Sequence, residues 1–187
     1  MTLYALILFS HVAGAFFLFA GLALEWIAIG YLRTNLDRSQ TEAWIQLAKI
    51  ASWCYGPAIG VVLLSGGYLA SKMGGSQGWI LVSFITLLAI GLIGAIFTRP
   101  RVRAIQKSAK ENTDRISGAL QNRLQNPVLV ASVRLRVALV FGVVLLMVSK
   151  LNMRLSLITI ACATTVGMIA ALGARRPSPL RDASTVN

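Results

Sequence analysis

Long apolar stretches alternate with short, mostly basic polar segments along this 187-residue chain. About 20 consecutive apolar residues are enough to span the hydrocarbon core of a bilayer. The region from Arg134 to Ala174 has about 40 residues, too many for one crossing, and is therefore divided in two. The pattern predicts an all-α integral membrane bundle with five transmembrane helices, at residues 3–32, 50–71, 79–98, 127–149 and 155–174.

The polar segments between these spans carry capping signals. We expect cytoplasmic loops and a disordered cytoplasmic tail at residues 33–49, 99–126 and 175–187. Ser39 and Glu42 have the spacing of a capping box, which indicates a short interfacial helix leading into the second span. Asn126 followed by Pro127 is typical of a helix start. Amphipathic helix is also expected within the longer loop, with a break around residues 111–114.

The composition and charge narrow the class of protein. Hydrophobic residues make up 56% of the chain and charged residues 13%, whereas soluble proteins have about 25% charged residues. The net charge of +12 would suggest nucleic acid in a soluble protein, but here the basic residues lie between apolar spans without interleaved aromatic residues. We therefore expect the bilayer and anionic lipid headgroups as partners, with a homo-oligomer or a membrane protein partner as alternatives, and no nucleic acid.

The basic residues also predict an orientation. With the N-terminus outside, 15 Lys and Arg residues fall on cytoplasmic segments and 3 on external ones. Cytoplasmic loops of membrane proteins carry such an excess. We therefore expect an external N-terminus, a cytoplasmic C-terminus and a bacterial inner membrane. The first span lacks the basic region and cleavage site of a signal peptide, so we expect it to be retained.

Small residues indicate where two helices can approach closely. Gly56 and Gly60 form a GxxxG pattern in the second span, and Gly91 and Ala95 repeat the spacing in the third. We expect these four residues to be helix-packing positions. Pro57 removes one helical N–H and is expected to kink the second span.

His11 is the single histidine of the chain and lies inside the first span. Ionisable residues inside a membrane are candidates for function, and a neutral imidazole can bind haem iron or another metal. One alternative is a haem b protein in which His11 is an axial ligand, completed by a second copy of the chain or by Met147 or Met168. The other is a neutral histidine that is hydrogen-bonded to a neighbouring helix, with no cofactor.

Glu25 is the second intramembrane candidate. It lies 14 residues after His11, on roughly the same helix face and about 21 Å away. The two residues could mark a proton or ion path, but that distance is too long for direct transfer. We therefore favour an ion pair between Glu25 and Arg33 or another arginine of the cytoplasmic side.

Arg134, Arg136 and Lys150 bracket the fourth span. One interpretation is a site for an anionic headgroup or substrate. The other, which we favour, is simple anchoring, in which the long side chains reach the headgroups at the two membrane surfaces.

Two segments resemble an uncharacterised family of small bacterial multi-span membrane proteins. The similar residues are Ser10-His11-Val12-Ala13-Gly14-Ala15, Gly21 and Glu25 near the start, and Asn126-Pro127, Ser132 to Leu139, Gly142, Leu146-Met147 and Lys150 in the second half. The resemblance implies a helical membrane fold and no established activity. More remotely, the early histidine is similar to that of small haem-associated and copper-resistance membrane proteins, which rely on further histidines that this sequence lacks.

The sequence contains no nucleophile elbow, phosphate-binding loop or zinc-protease motif, so we do not expect an enzyme. Our first hypothesis is an accessory, assembly or interaction protein of the membrane. The second is a haem b or redox protein that uses His11. The third is an oligomeric transporter or channel for a small solute.

Overall fold

The computed structural model describes residues 2–34, 38–73, 77–111 and 127–173. The elements in this part of the chain are α1 (Leu3–Thr34), α2 (Arg38–Lys72), α3 (Gly78–Ile93), a π-helical turn (Gly94–Thr98), α4 (Arg99–Glu111), α5 (Pro127–Ser149) and α6 (Met153–Gly173). Because α3 continues through the π turn into α4, these elements form five rods. Each rod contains a segment that is long and apolar enough to cross a membrane. The predicted all-α class with five such helices is confirmed.

The ends of two spans differ from the prediction. α2 begins at Arg38, so the short helix expected after Ser39 and the second span form one continuous helix, and the segment at 99–126, where amphipathic helix was expected, begins as the helix α4. Pro100 explains the π turn that precedes α4. In a regular α-helix the proline ring clashes with the carbonyl four residues earlier, and a wider turn can relieve that clash.

Several sequence expectations fall outside the described residues. They concern the helix start at Asn126, the break after residue 111 and the tail at 175–187. The side chain of Ser39 also lies outside this description, so the capping box stays a prediction.

α5 occupies the centre of the bundle. In its most apolar 18-residue segment, half of the residues are buried inside the protein. The same fraction is 17% for α6, which lies at the edge of the bundle. α1 packs chiefly on α2 and α5 chiefly on α6, while α5 also contacts α1 and α3. An apolar helix can present most of its surface to lipid, so exposure of large hydrophobic side chains on α6 is consistent with a membrane-spanning position.

None of the three glycines among the four predicted packing residues lies against the backbone of another described helix. A side chain added at Gly60 would meet open space, Ala95 is exposed, Gly56 faces the Arg99 side chain and Gly91 faces only the Ile59 side chain. Gly56 of α2 thus faces a side chain of α4 and Gly91 of α3 faces one of α2, whereas Gly60 and Ala95 do not pack on a described helix. Because lipid-facing and protein-facing surfaces are equally apolar, small-residue spacing alone does not say which side faces a helix.

Other glycines mediate the close approaches. A Cβ at Gly21 of α1 would lie 3.3 Å from the backbone oxygen of Ala51 on α2, and one at Gly167 of α6 would lie 3.0 Å from the Cα of Leu135 on α5. These contacts hold the α1–α2 and α5–α6 pairs together through backbone proximity.

We call the end of the bundle where α1, α4 and α6 finish the basic end, and the opposite end the hairpin end. At the hairpin end, Lys150 adopts φ 46° and its N–H donates to the Leu146 carbonyl at 2.9 Å, which closes α5. The Asn152 side chain accepts the Leu155 N–H at 3.0 Å and starts α6. The connection between the last two rods is therefore three residues long, against five between the spans expected at 127–149 and 155–174.

Buried apolar residues form two clusters along the bundle. One lies at the basic end, where Val102 and Ile105 of α4 pack on α1, α2 and α5. The other, which we call the middle layer, contains Leu18, Leu22, Tyr55, Ala58, Ile59, Val62, Leu87, Ile90, Leu139, Val140 and Val143. This layer separates the two groups of polar residues described below.

Candidate functional site

Glu25 of α1 and Arg136 of α5 form an ion pair inside the bundle. Glu25 Oε2 lies 3.1 Å from Arg136 Nη2, and each side chain is only 1% exposed. Oε2 accepts no aligned hydrogen bond from the described residues, so the contact is a charge pairing at short range. Two buried charges are tolerated only when they face each other, because the desolvation of either one alone is very costly.

A directed chain of hydrogen bonds completes the surroundings of Arg136. Its Nη2 donates to Thr98 Oγ1 at 2.9 Å and its Nε donates to the Ser132 carbonyl at 3.3 Å. Thr98 Oγ1 lies 3.0 Å from Ser132 Oγ, which in turn donates to the Leu129 carbonyl at 2.8 Å. Since Ser132 has only one hydroxyl hydrogen, Thr98 is the donor between the two. The guanidinium thus orients two hydroxyl groups in sequence.

The π turn leaves space for the Arg136 guanidinium and contributes a hydroxyl group to it. Thr98 ends the turn and Gly94 begins it, and both are buried. A Cβ at Gly94 would lie 3.0 Å from Arg136 Nη1 and 3.3 Å from Tyr55 Cε1, so glycine leaves the space that the arginine head occupies. The Tyr55 ring lies 5.2 Å from Arg136 Cζ, which adds a cation–π contact in a water-poor environment. Helical turns of the π type are frequent at functional sites.

The structure corrects the role expected for Arg136. Its head is buried on Glu25 and cannot reach a lipid headgroup, because α5 carries it about 13 Å inward from Pro127. Arg134 is half-buried, donates to the Ala170 carbonyl and lies 5.7 Å from the Trp26 ring. Lys150 is exposed at the hairpin end. Anchoring by Arg134 and Lys150 stays a prediction.

His11 occupies a separate site toward the hairpin end. Its Nδ1 lies 3.1 Å from Ser65 Oγ on α2. The Ser65 hydroxyl also makes a short bond to the Val61 carbonyl, which takes its only hydrogen. Ser65 therefore accepts from His11 Nδ1–H, and in the neutral imidazole this leaves the lone pair on Nε2. The hydrogen bond to a neighbouring helix is the one that the cofactor-free interpretation anticipates.

A half-open cavity of about 330 Å³ adjoins His11. Its lining is mainly apolar and comes from α1, α2, α3 and α5 together with the connection after α5. The lining residues that carry a polar group, an indole ring or a sulfur atom are Tyr4, His11, Trp79, Ser83, Met147 and Lys150. Ser83 is 3% exposed, and its hydroxyl has no hydrogen-bond partner among the described residues.

The middle layer lies between the two sites. Val62 and Leu87 belong both to this layer and to the cavity lining, and Tyr55 belongs both to the layer and to the surroundings of Arg136. The structure thus places His11 and Glu25 on opposite sides of a packed apolar core. This arrangement disagrees with a proton or ion path that runs from one to the other within a single chain.

Sequence reasoning identified His11, Glu25 and Arg136 as notable but did not identify their partners. Ser65, Thr98 and Ser132 are common helix-packing residues in membrane spans, and nothing in their spacing distinguishes them. One usable signal was that Glu25 is the single acidic residue of the first span and that Arg134 and Arg136 are the only charged residues of the fourth. Charged groups inside a membrane bundle are costly unless they pair with an opposite charge.

These features define a class: a helical bundle with five membrane-length rods, a buried ion pair and a half-open apolar cavity. No family model, curated protein or solved structure matches this chain.

Proposed function

We propose that this chain is a non-enzymatic accessory protein of a membrane, and that its working part is the cavity beside His11, which holds a small lipophilic ligand. The observation that carries the proposal is the cavity itself. Its volume of about 330 Å³ falls in the range of natural ligand sites, which are mostly apolar with a few placed polar groups. The volume is at the low end of that range and favours a single ring or a single chain as ligand.

The ion pair and the close packing at the basic end support ligand binding rather than transport. Glu25 and Arg136 neutralise each other, and the middle layer fills the bundle between them and the cavity. A ligand can therefore occupy the half-open cavity without a continuous polar route through the protein. This arrangement suits a protein that presents or stores a ligand for a partner.

We place the protein in a bacterial inner membrane, with the hairpin end outside and the basic end in the cytoplasm. The support is the excess of Lys and Arg in the segments that adjoin the basic end. Reporter fusions at the two chain ends test the orientation: phosphatase activity at the N-terminus and green fluorescence at the C-terminus are expected. The same compartment for both ends would contradict five crossings.

Ligand binding is tested with purified protein in detergent and 4-decylanisole as a lipophilic probe, counted as a mass adduct by native mass spectrometry. We expect a saturable 1:1 adduct. Ala70→Phe places a ring in the cavity lining and is expected to lower its occupancy at least tenfold. Ala161→Phe adds the same ring on the exposed face of α6 and serves as the matched control. Equal, non-saturable uptake by both variants and the wild type would reject the proposal.

A haem b or metal protein is the second candidate, because His11 and Met147 line the same cavity. An imidazole and a thioether are an established pair of haem iron ligands, and the bond from Nδ1 to Ser65 leaves Nε2 as the ligand atom. The residues therefore fit one axial pair, although the small volume favours a smaller ligand. Iron bound there would supply one-electron chemistry.

Absorbance spectroscopy decides this candidate. Protein purified from haem-replete cells should show a Soret band that disappears in His11→Ala and shifts in Met147→Leu. Met168→Leu is the control, since Met168 is exposed on α6. A colourless, folded wild-type protein would remove the haem candidate and leave the lipophilic ligand.

A further inference from the structure

The polar groups in the cavity lining are few and of complementary kinds. His11 Nε2 is a hydrogen-bond acceptor, because Nδ1 carries the proton that Ser65 receives. Ser83 carries a hydroxyl that can donate, and this hydroxyl has no partner among the described residues. The remaining lining is mostly apolar or aromatic. The site therefore offers His11 Nε2 as an acceptor and Ser83 as a buried donor without a partner among the described residues, while the donors Tyr4 and Lys150 of the lining belong to exposed residues.

Ser83 is the second, independent sign of a ligand. A buried hydroxyl without a hydrogen bond costs free energy, and serines in membrane helices ordinarily return their hydrogen to a carbonyl of the preceding turn. Thr86 on the same helix does so, donating to the Val82 carbonyl at 2.7 Å. Ser83 makes no such bond. Ser83 belongs to the cavity lining, so it adjoins any molecule held there.

We infer that the cavity selects a lipophilic compound that carries a hydroxyl group, that is, an alcohol or a phenol with a long apolar tail. One hydroxyl oxygen can accept from Ser83 and donate to His11 Nε2 at the same time, whereas an ether or a carbonyl can only accept. The apolar tail continues along the open side of the cavity. This inference rests on the proposed function and adds the chemistry of the ligand's head.

The aromatic lining bears on the two sources of such a hydroxyl. Tyr4, Trp79 and Phe84 contribute flat rings to the cavity. Rings of this kind stack on a phenol ring, as in the reduced form of a membrane quinone, and pack less specifically on an aliphatic alcohol such as a polyprenol. Both sources share the hydroxyl, and the experiment separates them.

The test is a competition between matched probes. Detergent-purified full-length protein is mixed with equal amounts of 4-decylphenol and 4-decylanisole, which differ only by methylation of the hydroxyl. Native mass spectrometry resolves the two adducts. We expect about a fivefold excess of the phenol adduct, because a hydrogen bond of ordinary net strength changes affinity by that order. A second pair, 1-decanol and 1-methoxydecane, reports on the aliphatic source.

Variants connect the preference to the named groups. Ser83→Ala and His11→Leu should each bring the phenol-to-anisole ratio close to one while the anisole adduct itself persists. Ser71→Ala removes an exposed hydroxyl of α2 that bonds the Tyr68 carbonyl, outside the cavity, and should keep the wild-type ratio. A shared loss of both adducts in a variant that unfolds is recognised by its circular dichroism, and the remaining variant then carries the test.

Three outcomes would contradict the inference, and they differ in what they say about the proposed function. Equal binding of phenol and anisole by the wild type, with both adducts lost in Ala70→Phe, overturns the inference and leaves the proposed function standing. A hydroxyl preference that survives in both Ser83→Ala and His11→Leu also overturns it. Failure of all four probes to give a saturable adduct removes the proposed function together with the inference.

Discussion

At the basic end of the bundle, Arg136 is 1% exposed and contacts Glu25, Thr98 and Ser132, whereas at the hairpin end Ser83 is 3% exposed and has no hydrogen-bond partner among the described residues. The first region is a polar network in which the two charges neutralise each other at 3.1 Å, although Glu25 Oε2 accepts no aligned hydrogen bond from the described residues. The second region is a half-open cavity with unused hydrogen-bonding capacity. The contrast separates the part of the molecule that holds the helices together from the part that is available to a ligand.

This difference follows from how a low dielectric acts on polar groups. A satisfied buried network fixes one arrangement of helices, because each member would be costly to leave unpaired. A buried group without a partner lowers stability and gains most from an arriving ligand. Substitutions at the basic end should therefore change stability strongly and binding little. Substitutions at the hairpin end should do the reverse.

The largest expected effect comes from breaking the ion pair. Glu25→Gln keeps the shape of the side chain but leaves the Arg136 charge unneutralised, which typically costs about 3–5 kcal/mol for a buried pair. The measurement is SDS-induced unfolding of the detergent-solubilised protein, followed by circular dichroism. Glu42→Gln is the control, because Glu42 is exposed.

Replacing both partners sharpens the same test. Glu25→Leu combined with Arg136→Met removes both charges, so we expect the double variant to be more stable than either single variant. Strictly additive losses would show that the two side chains do not stabilise each other.

A smaller loss of stability is expected when the Thr98 hydroxyl, which accepts a hydrogen bond from the Arg136 guanidinium, is removed. Thr98→Val removes the acceptor of Arg136 Nη2 while preserving the branched shape, and a hydrogen bond to a charged group is worth about 1.5–3 kcal/mol. Thr165→Val is the matched control, since the Thr165 hydroxyl is exposed and bonds only to its own helix at Ala161. Equal unfolding midpoints for the two variants would argue against a role for the π turn in holding Arg136.

The close approach of Arg136 to Gly94 predicts that a larger residue at this position lowers the stability of the protein. Gly94→Ala adds a Cβ at 3.0 Å from Arg136 Nη1, and overpacking of this kind costs about 1–3 kcal/mol. Gly60→Ala is the control in the same unfolding assay. Its Cβ meets nothing within 4 Å, and alanine has the higher helix propensity, so it should be neutral or slightly stabilising.

The sequence predicted the five helices because length and hydropathy are local properties. The segments from Leu3 to Leu32 and from Pro127 to Ser149 are nearly free of charge over a membrane's thickness, and both are helices in the structure. The helical spacing of Trp44, Leu47 and Ala48 also indicated a helix leading into the second span, and α2 begins at Arg38. Their burial depends on α1 and α4, which a local pattern does not include.

The site was less predictable because it depends on which helices meet. Glu25 could have paired with several arginines, and its partner is 111 positions away in the chain. Thr98 reaches Arg136 through a π turn that spacing rules for regular helices do not anticipate. The cavity is a space left by four helices and a connection, and no single segment encodes it.

The smallest expected effect has the opposite sign and lies at the hairpin end. Ser83→Ala removes a buried hydroxyl that has no partner among the described residues, so the ligand-free protein should gain up to about 1 kcal/mol of stability. Thr86→Val on the same helix removes a hydroxyl that is already bonded to Val82 and should not give this gain. The measurement is the unfolding midpoint with and without saturating 4-decylphenol. If Ser83 is kept for ligand binding, the variant should be more stable alone and gain less from the phenol than the wild type, because binding stabilises only the form that can make the contact. A loss of stability in ligand-free Ser83→Ala would show that the hydroxyl already has a structural partner, and the contrast between the two ends of the bundle would fail.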